Sequence, residues 1–464
     1  MRKIKNAVYG GLFFSFMFIQ YVVLRFGNQA GRGYLSDDIQ RYVYLMIQLF
    51  VIAGFFVFAL INRLIKNRTA EKAVTLGVLG VFLFCASLMF LFPPDSAFYI
   101  AVTFVSVTCL GFTGGAVYLR MSRSTLCGVK TGLCAGIGCS AALVMQYVLQ
   151  LRWSLRVPLG VLSVLSFTAL AYYFLYEQEI KTGSEEDEPA VKPKRKIIFA
   201  AVITFAMLLF SGYYNIYIHG LQIASGYTEY NVYTWPRLCM IPGFILFGAA
   251  GDFKKGRFLP ILTVCTVVLS LLNSTLAGQG GAYNLNMCLF YISLSAAVSY
   301  YNITFFRLGA KTGNPALWAP FGRILDSVSV LFLGFISFDS LPTVAVLALD
   351  IGALAVMLVL MAANGDLDLA SPKAAQAVSD AEPAEPAEQS GDAFDTIQKS
   401  YGLTPAEMKV FRELVLTEDK QIAIGERLSI KIRTVQANVT SIYRKTGVST
   451  RSGLVQLYND AAKR

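Results

Sequence analysis

The stretch Lys431–Lys445, KIRTVQANVTSIYRK, presents Lys431, Arg433, Gln436, Asn438, Thr440, Arg444 and Lys445 with no acid among them. Guanidinium and ammonium groups can neutralise phosphates, and the amides of Gln436 and Asn438 have the donor and acceptor pair that matches the edge of adenine. Between them Ile432, Val435, Val439 and Ile442 recur at helical spacing. The segment is therefore predicted to be a helix with its apolar face turned inward and its polar set turned out.

Such a helix has to be supported from behind. A short helix is predicted around Asp419–Leu428, with a turn at Ser429 and Ile430 between the two, and a pair whose second member is basic has the form of a helix-turn-helix. Upstream, Thr404, Pro405 and Glu407 mark a helix start: Thr404 caps, Pro405 takes the first turn, and Glu407 can close a capping box. Before that, Ala370–Asp392 is rich in Ala, Pro, Glu and Ser with almost no large apolar side chain, and cannot bury a core. Charge follows the same divisions. Residues 396–464 hold twelve Lys/Arg against six Asp/Glu, residues 364–395 one Lys against eight acids, and the first 363 residues are net +12. The domains read from this are residues 1–363, a membrane sensor; 364–395, an acidic flexible linker; and 396–464, a C-terminal helical domain.

The first of these prefers lipid to water. The chain is 55% hydrophobic and 15% charged, against about 25% charge in ordinary soluble domains. Twelve apolar runs precede Asn364, at about Ala7–Leu24, Tyr42–Ile61, Ala73–Phe92, Phe98–Leu119, Thr131–Gln150, Val157–Tyr176, Ile197–His219, Val232–Ala250, Phe258–Ala277, Leu285–Phe306, Trp318–Ser337 and Leu341–Met361. Each has roughly the 20 residues a helix needs to cross the hydrocarbon. Lys and Arg are retained on the cytoplasmic side of a membrane. Twenty basic loop residues fall on one side of the twelve runs and five, Arg25, Arg32, Arg41, Arg152 and Arg156, on the other. A multi-pass protein of the cell (inner) membrane with both termini cytoplasmic is the expectation. Met1–Gln20 has no small-residue cleavage site and is read as a retained first span.

Ionisable groups inside spans are costly and invite a functional reading. Arg237, after Trp235 and Pro236 in the eighth run, is the candidate for contacting an anionic ligand. Arg323 and Asp326 share a helix face in the eleventh run and are expected to pair locally, whereas Asp350 in the twelfth is expected to pair with another helix. The seventh and tenth runs each carry a Tyr-Tyr-Asn triplet, Tyr213–Asn215 and Tyr300–Asn302. Tyr214, Asn215, Tyr301 and Asn302 are thereby candidate walls of a small-molecule pocket, with aromatic packing and interfacial anchoring as the structural alternative. Gly132, Gly136 and Gly138 permit close helix packing. Seven of the eight cysteines lie in apolar runs without metal or redox spacing, and the single His219 excludes any constellation needing two. With no activated nucleophile, metal cluster or phosphate loop visible, neither an enzyme nor a cofactor is expected.

The long loop Glu177–Lys196 divides the spans six and six, an arrangement that resembles the major facilitator superfamily, whose two six-helix halves enclose a central cavity. "GAAGDFKKGR" (Gly248–Arg257) looks like that family's cytoplasmic gating signature with Gly256 one residue late, while "NRLIKNRTAEK" (Asn62–Lys72), the equivalent first-half loop, lacks both its Gly and its Asp. The C-terminal run is similar to the LuxR-type helix-turn-helix at Leu403, Thr404, Glu407, Ile424, Leu428, Thr434, Val435, Ile442, Lys445, Gly447, Val448 and Arg451. Gly425, Lys431, Gln436, Asn438 and Thr446 depart from that family's usual residues. The resemblance implies base contacts from Gln436, Ala437, Asn438 and Thr440, and phosphate contacts from Lys431, Arg433, Thr434, Arg444 and Lys445. It also implies a homodimer on double-stranded DNA, paired through the last helix around Thr450–Ala462.

The fold expected is all-α, a twelve-helix facilitator-like transmembrane bundle followed by a LuxR-type helix-turn-helix. The function expected is a membrane-bound one-component transcription regulator whose partners are membrane lipid, an unknown small-molecule ligand and DNA. An active secondary transporter with a regulatory DNA-binding tail is the alternative.

Overall fold

The computed structural model describes residues 2–31, 33–65, 67–151, 156–176, 193–224, 235–277, 283–335, 343–364, 390–417, 421–428, 430, 432–448 and 450–462. They form helices and connections, with no strand among the described residues. The chain falls into two compact units, Met1–Leu369 and Ala370–Arg464.

In lipid a backbone amide has no water to turn to, so each apolar run must satisfy its own N–H and C=O groups as a helix. The first half comprises α1 (Arg2–Gly27), α2 (Asp37–Leu64), α3 (Arg68–Leu91), α4 (Ala97–Thr125), α5 (Thr131–Leu151) and α6 (Arg156–Tyr176). The second comprises α7 (Pro193–Ala224), α8 (Met240–Asp252), α9 (Leu259–Ala277), α10 (Tyr283–Ala310), the single turn α11 (Pro315–Trp318), α12 (Phe321–Phe335) and α13 (Thr343–Asn364). The described parts of the twelve apolar runs lie largely on these helices, with the eighth opening on a 3-10 turn and the eleventh divided between α11 and α12. Eight of the helices, α1 to α7 and α10, are long and apolar enough to cross a membrane, and the chain is a multi-pass membrane protein.

Two of the remaining helices are short for a local reason. α8 has 13 residues and α12 has 15, or about 20 and 22 Å at 1.5 Å per residue. Proline lacks an amide hydrogen and fixes φ, so it interrupts a helix that tries to run through it. Around Pro236 the expected start of the eighth span is a 3-10 turn, Trp235–Cys239. The eleventh span is split into α11 and α12 just ahead of Pro320.

The halves meet along α5 with α8, α4 with α10 and α2 with α12. The α5–α8 contact is backbone to backbone. A Cβ on Gly132 would lie 2.5 Å from the Gly248 carbonyl oxygen, and one on Gly136 2.3 Å from that of Phe244. Gly138 faces α1 instead, with the Phe14 nitrogen at 3.0 Å. Beside this seam an aromatic cluster fills the bundle: Tyr118 lies 5.9 Å from Phe13, 6.0 Å from Phe16 and 5.4 Å from Phe306 of the second half.

In the C-terminal unit, α14 (Ser390–Tyr401), α15 (Pro405–Leu416), α16 (Gln421–Arg427), α17 (Ile432–Thr446) and α18 (Arg451–Ala462) enclose one core. Phe394, Ile397, Phe411, Ile424, Val435, Val439, Ile442 and Leu454 are buried in it. The linker boundary is corrected here. Residues 390–395, read as flexible, open α14, because Phe394 and Ile397 give it an apolar face to bury. Asn364 likewise belongs to α13, and residues 365–389 lie outside the described residues.

Replacing Gly136 by Val should cost about 1–3 kcal/mol, the range for overpacking a filled contact. Gly77→Val, at a position with open space beside the backbone, should leave stability near wild type. Melting curves of the purified protein in detergent separate the two.

Candidate functional site

The first amides of an α-helix have no partner within it and carry the positive end of its dipole. For α5 that partner comes from the other half. Asp252, the last residue of α8, accepts from Gly132 N–H at 3.1 Å and from Leu133 N–H at 2.7 Å, one bond to each carboxylate oxygen. Arg307 in the last turn of α10 lies 3.6 Å from the same carboxylate and donates to the Gly251 carbonyl. The loop closes through Gly256 at φ +79°, where a Cβ would sit 2.1 Å from Arg307 Nη1. This is the glycine that the sequence places one residue late. The equivalent loop of the first half turns inward on its own half. Asn62 donates to Glu71 at 3.1 Å, Asn67 caps α3 by accepting from Thr69 N–H at 2.9 Å, and Lys72 bonds the Leu175 carbonyl at 3.0 Å. The latch between the halves is thus built from one side.

Deeper in the bundle the candidate ligand residues meet different neighbours. The Arg237 guanidinium lies over the Tyr21 ring of α1, 5.6 Å from its centroid. Arg323 pairs with Asp326 on α12, as their spacing predicts. One turn on, Ser327 donates to Gln48 of α2 at 3.1 Å. Tyr301 is buried among Ile197, Ala200, Leu208 and Phe305. Asn302 faces another way and lines, with Cys139, Phe244 and Ser299, a space of about 10 Å³, room for about one water. Its Oδ1 is buried without a hydrogen-bond partner. Tyr214 and Asn215 sit on helical backbone of α7, but their side chains, and that of Asp350, lie outside the described residues. Tyr21 and Tyr118 escape a reading of the sequence, because an aromatic ring inside an apolar run carries no polar signal.

In the C-terminal unit the capping box forms: Glu407 N–H donates to Thr404 Oγ1 at 3.3 Å, and Thr404 N–H to Glu407 Oε2 at 2.7 Å. α17 buries Val435, Val439 and Ile442. Arg433, Thr434, Gln436, Ala437, Thr440 and Arg444 are exposed, and Asn438 is half-buried. Ile432, expected inside, is 37% exposed, since it opens the helix and its side chain has no earlier turn to cover. Lys431 lies outside the described residues. Lys445, which the resemblance sets against phosphate, donates to Glu407 Oε2 at 2.8 Å and to the Gly402 carbonyl at 3.0 Å. Arg451 ties α18 to the end of α15 by donating to the carbonyls of Leu414 and Thr417. Phe394 of α14 stacks on Tyr458 of α18 with centroids 4.5 Å apart.

The fold of the membrane unit is that of the major facilitator superfamily. A solved structure of a transporter of that superfamily, FucP, in the outward conformation, matches with a TM-score of 0.52 at 13% identity, over 77% of this chain and 97% of that one. No family model matches the chain, and no curated protein matches it.

Two outcomes follow. Asp252→Ala removes the acceptor for the start of α5 and should raise labelling of the neighbouring buried Cys134 by N-ethylmaleimide, located by mass spectrometry; unchanged labelling would mean that the latch holds nothing. Glu407 supplies a pH signature. Burial pushes its carboxyl up, but bonds from Lys445, Ser441 and Thr404 outweigh that and hold it at about 2, below its ordinary 4.5. The charged form is the one that folding favours, so the stability it gives is present above about pH 4.5 and is lost as pH falls towards 2, by about 3 kcal/mol in all. Urea melts of residues 390–464 should show that loss, and Glu407→Gln should abolish most of it.

Proposed function

We propose that this chain is a membrane-bound one-component transcription regulator, in which a facilitator-like bundle senses a small molecule and a LuxR-type helix-turn-helix tail binds double-stranded DNA. The observation that carries the reading is the surface of α17. Arg433, Thr434, Gln436, Ala437, Thr440 and Arg444 are exposed on a helix whose other face is buried, with α16 packed behind it. In this reading Gln436, Ala437, Asn438 and Thr440 meet base edges, while Lys431, Arg433, Thr434 and Arg444 meet phosphates. Lys445 serves the Glu407 frame first. The excess of Lys and Arg in the loops on the Asp252 side puts that side, with both termini, in the cytoplasm. The chain acts without enzyme chemistry or a cofactor.

Coupling runs through the tether. α14 directly follows residues 365–389 and stacks on α18, the helix through which the LuxR family pairs. A change in the tether therefore reaches the pairing helix, and homodimers on DNA form or part accordingly.

The rival reading, active transport with a regulatory tail, draws on the Asp252 latch and the likeness to a transporter. The first-half loop Asn62–Lys72 offers it no matching latch. Substrate flux into proteoliposomes separates the two readings.

Full-length protein in nanodiscs should bind duplex DNA, with Arg433→Ala plus Arg444→Ala lowering affinity about tenfold or more and flattening the salt dependence by about two counterions. Gln436→Ala or Asn438→Ala should change which sites are selected from random duplexes. Binding that none of these alters would exclude α17 as the reader.

A further inference from the structure

Opposite the Asp252 end, the bundle holds a cavity of about 300 Å³ between the end of α1 and the first turns of α2. That is the lower end of the range for small-molecule sites. Its polar lining is the amides of Asn28 and Gln40, the Arg41 guanidinium and the Tyr44 phenol; Val43 and Ala30 add apolar surface, and there is no acid among the described residues that line it. From Arg25 to Arg41 the chain has three arginines against two acids, Asp37 and Asp38, on the first turn of α2.

The wall is set in advance. Gly31, at φ +81°, turns the chain out of α1; its N–H donates to the Pro94 carbonyl at 2.8 Å, and its own carbonyl accepts from Tyr34 and Leu35 N–H at 3.0 and 2.9 Å. Tyr99 donates its hydroxyl to the Phe26 carbonyl at 3.0 Å. A site whose backbone is already fixed spends less of its binding energy on ordering.

Arg41 also does a second thing. Its Nη2 donates to the Gly334 carbonyl at the end of α12, at 2.5 Å. That bond uses one of five guanidinium N–H donors. The cavity thus opens away from the latch and touches the α2–α12 seam at Arg41.

We propose that this cavity is a ligand site for a small organic monocarboxylate with an aromatic or apolar body, and that Arg41 holds the carboxylate while bearing on the α2–α12 seam. A guanidinium fork matches a carboxylate with two parallel bonds. The phenol and the two amides orient it, and the Tyr44 ring covers the body, with Val43 and Ala30 forming the floor beneath. Cations and neutral isosteres lack the group that Arg41 recognises. As the input of the sensor this site rests on the regulator reading, but its occupancy is measured on protein alone, without DNA, so the two fail separately.

The test uses full-length protein in phosphatidylcholine nanodiscs with benzoate, benzyl alcohol and benzylamine as probes. Benzoate should raise the melting temperature and protect Arg41 from phenylglyoxal in the wild-type protein, as read by peptide mass spectrometry. The alcohol and the amine should do neither at the same concentration. Arg41→Ala should weaken benzoate binding by about tenfold or more, Arg41→Lys by less, and Lys311→Ala, an exposed loop residue at the other end of the bundle, not at all. If the arginine variants fail to fold, the wild-type protection assay decides. Equal phenylglyoxal labelling of Arg41 with and without benzoate would overturn the proposal. So would protection by benzylamine, or protection that follows added phosphatidylglycerol and not benzoate.

Discussion

At one end of the membrane unit a carboxylate ties one half to the helix start of the other. Asp252 sits at the end of α8 and takes the first free amides of α5, and it can do so because Gly132, Gly136 and Gly248 let the two backbones touch. Charge-assisted bonds to a helix start are stronger than neutral ones. The α2–α12 seam is held differently, by Arg41 on a backbone carbonyl and by Gln48 with Ser327. One end of the bundle is therefore clamped by a carboxylate meeting a helix dipole, backed by Arg307, while the α2–α12 seam combines the exposed Arg41 guanidinium on a carbonyl with the buried Gln48–Ser327 bond.

Much of this is legible in the residues. Hydropathy alone places the eight helices long enough to cross a membrane, because a backbone in lipid has few alternatives; the breaks at Pro236 and Pro320 come from the prolines. The helix starts also show: Thr404, Pro405 and Glu407 predict a capping box that forms with both its bonds. Arg323 and Asp326 pair as their spacing requires. What the residues do not show is which neighbour a side chain meets. Gly132 and Gly136 read as packing glycines, yet nothing in their spacing says that the partner is α8 of the other half. Tyr301 and Asn302 are adjacent in one triplet and face different surroundings, since consecutive residues on a helix diverge by about 100°. Lys445 reads as one more cation on a basic face until Glu407, 38 residues earlier, is brought beneath it. α14 does not show in the sequence because its helix-forming residues are few and the acidic, alanine-rich run before it hides its start.

The C-terminal unit is arranged so that structural and exposed charges are separate. Lys445 and Arg451 bind Glu407 and the end of α15, while Arg433 and Arg444 remain on the surface. Cations engaged in the frame fix the helix, and those outside it stay exposed to solvent. α14 adds a mechanical element. Its Phe394 reaches both Phe411 of α15 and Tyr458 of α18, so it bridges the scaffold to the last helix rather than to α17.

The central claim, that a membrane-embedded bundle carries a gene-reading tail, is tested most directly in cells. Chromosomal binding sites should be mapped by crosslinking and sequencing for the full chain and for one ended at residue 389. Discrete sites sharing a short sequence, present with the full chain and absent with the shortened one, are the predicted result. Profiles that are the same for both, or that never rise above background, would contradict it.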